Sequence, residues 1–195
     1  MFVGKTLNLD FIPDGKSGNW SVSTYTVKED DIYRQFFNEL KYGRSVPPGT
    51  YRKLLHFNDI VMSNTPNELG DHQLFVAMAT GHVLINGLGL GCCLTEVLLK
   101  KEVTKVTVVE KSQDVVNLVW PYFKDPRLEL VIEDAFNYQP PKGVKYGAVW
   151  HDIWPTICGD NYPEIKKLEK KFQRKTNWQG SWCKNRVKFL NLQDV

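Results

Sequence analysis

From residue 81 onward the chain alternates short, almost wholly apolar runs with longer stretches of helical spacing. The runs are Val83-Leu84-Ile85, Val106-Thr107-Val108-Val109, Leu128 to Ile132 and Tyr146 to Trp150. A strand that is apolar at successive positions expects burial on both faces, as in a parallel sheet covered by helices. The intervening stretches predict helices up to about Lys101 and from Gln113 to Phe123. Such alternation requires crossover connections and therefore an α/β fold, a Rossmann-like, doubly wound, mostly parallel sheet.

Residues 1–80 follow a different pattern. Turn chemistry at Pro13-Asp14-Gly15 and Ser17-Gly18-Asn19 separates extended segments, and Trp20 to Val27 is rich in β-formers. Thr26 with Glu29 reads as a capping box ahead of Ile32, Phe36, Phe37 and Leu40, a helical face ended at Gly43. Phe57 to Met62 predicts a short strand. Thr65 as N-cap, Pro66 at the first helical position and Glu68 three residues after the cap predict a helix to about Thr80, stopped at Gly81. The expected organisation is an N-terminal β/α extension over residues 1–80, packed on a core over residues 81–195. Only 43 residues follow Asp152. The sheet is therefore expected to be C-terminally shortened, with Arg186 to Leu192 as the candidate for one last strand.

Composition narrows the class. The 195 residues are 42% hydrophobic and 24% charged, an ordinary folded chain rather than a disordered or coiled-coil one. No apolar run approaches the ~20 residues of a membrane span, and the start lacks a signal-peptide core. A soluble, cytoplasmic protein without a membrane partner is the expectation. Cysteines stand at 92, 93, 158 and 183 with no CxxC and no zinc-like Cys/His spacing, so reduced thiols and no metal are expected.

The net charge of +3 is unevenly spread. From Asp160 onward nine Lys and Arg oppose four acids. Ile165, Leu168 and Phe172 make an apolar stripe, while Lys167, Lys170, Lys171 and Arg174 crowd the other side of the same helix. Such a face is either simply solvated or follows phosphates, with Trp178 and Trp182 as stacking platforms. Nucleic acid is thereby one expected partner.

The segment from Asn86 to Gly91 places Gly87, Gly89 and Gly91 between a strand and a helix. Glycines there allow a sharp turn and close approach of a ligand to the backbone. Glu110 ends the next strand, 19 residues after Gly91, where a carboxylate can accept both hydroxyls of a ribose. A dinucleotide fingerprint from Gly87 would need a third glycine at position 92, which is Cys92. The next strand runs into Glu133-Asp134-Ala135-Phe136, an acid followed by a small residue. The fourth ends in His151-Asp152.

On these motifs the stretch from Val83 to Trp154 resembles the class I S-adenosylmethionine (AdoMet)-dependent methyltransferase superfamily. Within it the sequence is similar to the spermidine-synthase-like branch, including its short bacterial and phage members. The resemblance implies S-adenosyl-L-methionine as cofactor, with Gly87, Gly89 and Gly91 as its loop. It further implies Glu110 as the ribose acid, Asp134 and Ala135 at the adenine, and Asn86 where the superfamily usually has an acid. Polar residues just before the core in this branch make Ser63 and Asn64 further contacts, while His72 faces either the same crevice or solvent. Asp152 aligns with the acid that deprotonates the attacking amine in polyamine aminopropyltransferases, and His151 is the second candidate base. The fuller aminopropyltransferase motif has another acid shortly after, where this chain has Ile153-Trp154-Pro155. The Asn/Asp-Pro-Pro-aromatic motif of base-amine methylation is missing. The expected activity is methyl transfer to an unassigned small-molecule or macromolecular acceptor, with aminopropyl transfer or a non-catalytic binding module as alternatives. An acceptor pocket built by residues 1–80 or by the second subunit of a homodimer completes the picture.

Overall fold

The computed structural model describes residues 7–29 and 46–193. The helix expected around Ile32 to Gly43 lies outside them. Thr26, its expected cap, lies in a strand and meets Thr50 through their hydroxyls at 3.2 Å.

The described residues form two sheets. The first is antiparallel, in the order β1 (Gly15–Ser17), β2 (Trp20–Val27), β3 (Gly49–His56) and β4 (Asp59–Ser63). The second holds β5 (Gly81–Asn86), β6 (Val103–Glu110), β7 (Leu128–Ile132), β8 (Tyr146–His151) and β9 (Thr176–Ser181). It is parallel throughout, in the order β7-β6-β5-β8-β9. The four apolar runs are its first four strands. β5, β6 and β8 are buried on both faces as expected, whereas β7, at the sheet edge, has no fully buried position.

The sheet separates two cores. Val83, Ile85, Val106, Val108, Ala148 and Trp150 point to one side. There they meet α3 (Cys92–Leu98) and α4 (Gln113–Val119). Leu84, Val109 and Val149 point to the other side, against α5 (Asn161–Phe172). The stripe Ile165, Leu168 and Phe172 of that helix is fully buried, as its spacing predicts. Alternate residues of one strand thus serve both helical layers, which is why the strands read as apolar throughout.

Three expectations are corrected. The helix after Pro66 is two pieces, α1 (Pro66–Asp71) and α2 (Gln73–Met78), interrupted at His72 with φ −108° and ψ 5°. Its capping box is rewired. Thr65 makes no side-chain cap bond, and Glu68 instead accepts from the Ser63 backbone N–H at 2.9 Å. The fifth strand is β9, while Arg186 to Leu192 falls in α6 (Lys184–Gln193). Trp178 and Trp182 pack on the core opposite α5, so they do not stand beside its lysines as platforms.

The antiparallel sheet leans on α4. Ser17 Oγ donates to Asp114 Oδ1 at 2.7 Å, and Gly15 comes up against Leu118. This contact brings β2, β3 and β4 over the carboxyl ends of the parallel strands. No helix among the described residues is long and apolar enough to cross a membrane.

Candidate functional site

In this strand order the chain reverses direction of travel between β5 and β8, and open α/β sheets bind ligands outside the carboxyl ends at such a point. A cavity of about 650 Å³ opens there. That volume sits inside the roughly 300–1,000 Å³ range of small-molecule sites. Trp20, Leu54, His56 and Met62 of the antiparallel sheet form one wall. Gly87, Glu110, Asp134 and Asp152, each at or just past the end of a parallel strand, form the other.

The three glycines answer three different demands. All have positive φ: +98° at Gly87, +51° at Gly89 and +72° at Gly91. A Cβ on Gly87 would fall 2.0 Å from the carbonyl oxygen of Asp152, one on Gly89 2.4 Å from Met62 Sδ, and one on Gly91 2.4 Å from the Phe123 ring. Gly87 and Gly89 line the cavity, whereas Gly91 caps α3 behind it.

Glu110 is buried and braces the loop. Its Oε2 accepts from Leu88 N–H and its Oε1 from Ser112 N–H, at 2.9 and 2.8 Å. Each oxygen has further accepting capacity, and Glu110 lines the cavity. Asp134 folds its own turn, accepting from Phe136 N–H at 2.7 Å, and Lys171 of α5 donates to the carbonyls of Ala135 and Phe136. Asp134, Ala135 and Phe136 all line the cavity.

Asp152 lines the cavity partly buried, with its backbone N–H bonded to Asn86 O at 2.8 Å. Desolvation raises its carboxyl to about 7, helped by the carboxylates of Glu68 and Asp71 and opposed by His72. A carboxyl poised there exchanges protons readily at neutral pH.

His151 is placed otherwise. It is fully buried, does not line the cavity, and desolvation lowers its pKa to about 4. Its network fixes the tautomer. The Glu169 carbonyl can only accept, so Gln179 turns Nε2 toward it at 2.9 Å and offers Oε1 to His151 Nε2–H at 3.3 Å. His151 Nδ1 is then an acceptor and takes a hydrogen from Asn86 Nδ2 at 2.8 Å. Asn86 Oδ1 is left over, a buried acceptor without a hydrogen-bond partner among the described residues. The second candidate base is thus a neutral histidine orienting Asn86.

Ser63 and Asn64 also lie off the cavity. Asn64 ties the chain together, accepting from Arg52 N–H and donating to Leu7 O, while Ser63 Oγ is held by Thr65 and Glu68. Gly87, Gly89, Glu110, Asp134, Ala135 and Asp152 therefore meet at one cavity, and Asn86, Gly91, His151, Ser63 and Asn64 stand around it.

The sequence reading passed over Glu96 and gave Glu68 only a capping role. Glu68 lines the cavity, and so does His72, whose ring is buried rather than turned to solvent. His72 Nε2 lies 2.5 Å from the buried carboxylate of Glu96, which also accepts from Gln73 Nε2. An acid among apolar residues at helical spacing was the available signal for Glu96. Trp182, whose indole donates to Asp71 at 3.1 Å, lines the cavity as well.

No protein-family model matches the sequence. Among curated proteins, the polyamine aminopropyltransferase of Pyrobaculum neutrophilum is 34% identical over 163 residues, 74% of this chain and 54% of its own. The chain is thus similar in sequence to polyamine aminopropyltransferases over 74% of its length. The polyamine aminopropyltransferase of Aeropyrum pernix is 33% identical over 130 residues, 58% of this chain and 40% of its own. The chain spans about half the length of the curated relatives it matches. Among solved structures, spermidine synthase with the transition-state analogue AdoDATO is 20% identical with a TM-score of 0.45, covering 71% of this chain and 46% of its own. Spermidine synthase from Thermotoga maritima is 19% identical with a TM-score of 0.43, covering 71% and 45%.

Proposed function

We propose that this chain transfers an alkyl group from an adenosylsulfonium donor to an amine, with Asp152 as the base, and that the group is aminopropyl. The observation that carries this reading is the charge of the cavity. Among the described residues, Glu68, Glu110, Glu133, Asp134, Asp152 and Glu164 line it against one lysine, Lys111, in a chain whose net charge is +3. A cavity so biased attracts cations and disfavours carboxylates. Decarboxylated AdoMet and a polyamine are both wholly cationic at their reacting ends, whereas AdoMet brings a carboxylate.

The residues fit an adenosyl donor. Gly87 and Gly89 let it approach the backbone, Glu110 retains lone pairs for ribose hydroxyls, and Asp134 with Phe136 suits an aminopurine. When bound, the donor supplies an electrophilic carbon on a sulfonium, whose C–S bond breaks with the electron pair leaving on sulfur as the new C–N bond forms. The chain must hold the amine in line and take its proton. Asp152 accepts that proton, since an ammonium has no lone pair with which to attack. Glu68, beside it, offers the cationic acceptor a counter-charge.

Methyl transfer from AdoMet is the second reading, favoured by Ile153-Trp154-Pro155 where aminopropyltransferases place a further acid. The test is product analysis with either donor and a panel of diamines and triamines. Aminopropylated amine with methylthioadenosine supports the first reading. Methylated amine with S-adenosylhomocysteine replaces it by the second. Neither product with any acceptor leaves a binding module and overturns both.

A further inference from the structure

Beneath the cavity lies a buried charged pair that the proposed transfer does not itself use. Glu96 sits on the inner face of α3 and His72 at the break between α1 and α2, both about 2% exposed. They meet at 2.5 Å through His72 Nε2, and Gln73, the next residue, grips both carboxylate oxygens of Glu96. The helix interrupted at His72 is what lets two consecutive side chains reach the same acid. Glu96 does not line the cavity, but His72 does, beside Asp152.

We propose that Glu96 is a positioning residue that acts through His72: its carboxylate pairs with Nε2 and holds the ring beside Asp152, and so governs when Asp152 gives up its own proton. Burying a lone carboxylate is costly, and an imidazolium partner offsets that cost. A charge on the ring would be positive, facing a base whose other charged neighbours, Glu68 and Asp71, are acids. Asp152 is faced by His72, Glu68 and Asp71 from the α1 side, by Cys92 and Cys93 from α3, and by the Trp150 indole from its own strand. Of these only His72 supplies positive charge. Glu96 itself is not among the groups acting most strongly on Asp152. Its influence therefore runs through the ring.

The inference rests on Asp152 as the base, but its test needs no donor. Asp152 is titrated in the ligand-free protein by carboxyl carbon NMR, with Asp152→Asn to assign the signal. Glu96→Gln keeps the shape and an acceptor for His72 but removes the charge. The midpoint of Asp152 is expected to rise by about one pH unit, the lower end of what an opposite charge at contact distance contributes. His72→Gln should raise it similarly, and Glu96→Gln in the His72→Gln background should add nothing, because interacting residues are not additive. Should Glu96→Gln fail to fold, the single His72→Gln variant still decides whether the imidazole acts on Asp152. An unchanged midpoint in folded Glu96→Gln, an undiminished shift in the double variant, or an unchanged midpoint in His72→Gln overturns the proposal. Failure of the protein to bind any adenosyl donor would defeat the transfer reading and leave this coupling standing.

Discussion

The carbonyl oxygen of Asp152 stands 2.0 Å from the point where a Cβ on Gly87 would lie. The first loop glycine and the candidate base are thereby packed backbone against backbone, and neither can shift without the other. Gly87→Ala should cost more than 3 kcal/mol, since backbone cannot retreat as a side chain can. Gly89→Ala meets only the flexible Met62 side chain, and its cost should be about 1–2 kcal/mol, mostly for a non-glycine residue at positive φ. Denaturant unfolding of the two variants measures the difference, and equal losses would contradict this view of the loop.

The carboxyl of Asp152, raised to about 7 by desolvation, sets a pH dependence of activity. The base is competent only when ionised, so kcat/KM should rise with pH through about 7 and then level off. Asp152→Asn should lose roughly 10²–10⁴-fold in turnover, the range for removing a general base, with donor affinity retained. A rate profile flat from pH 6 to 8 would exclude this assignment.

Stability should respond to pH in opposite senses at two adjacent residues. Asp152 is easier to protonate folded than unfolded, so its ionisation removes stability as pH rises from about 4 to 7. Asp152→Asn should therefore melt progressively higher than the wild type across that interval. His151, lowered to about 4 by burial, is harder to protonate folded, so stability is lost as pH falls below 6.5 toward 4. His151→Gln should flatten that acid limb, by up to about 3 kcal/mol for a shift of this size. Thermal melts of both variants from pH 4 to 8 test the two signs separately.

Lys171 holds the turn that carries Asp134 by donating to Ala135 and Phe136 carbonyls at 3.1 and 2.8 Å. Lys171→Met keeps the apolar stem and loses both bonds. A stability loss of about 1–2 kcal/mol is expected, as for hydrogen bonds with a charged donor at a partly exposed site. Donor affinity measured by calorimetry should also drop several-fold, and unchanged affinity would separate this turn from the cofactor site.

The parallel core was legible because both faces of β5, β6 and β8 are buried, so burial itself writes the apolar runs. The glycine loop was legible because positive φ at three alternate positions leaves few alternatives to glycine. Distant partners decided the rest. The periodicity from Pro66 to Met78 is continuous, and only Glu96, over twenty residues away, explains the break at His72. Thr176 to Ser181 carries little strand signal because an edge strand needs fewer apolar residues, whereas Arg186 to Leu192 has the composition of a strand and forms a helix. His151 and Asp152 are neighbours in sequence, but alternation along β8 sends one into the core and the other to the cavity.

The cavity between β5 and β8 should hold an adenosylsulfonium donor without a carboxylate. Calorimetric titration of the protein with decarboxylated AdoMet and with AdoMet tests it most directly. Tighter binding of the decarboxylated form, weakened by Gly87→Ala, is the result expected. Tighter binding of AdoMet would contradict aminopropyl transfer, and binding of neither would contradict the account as a whole.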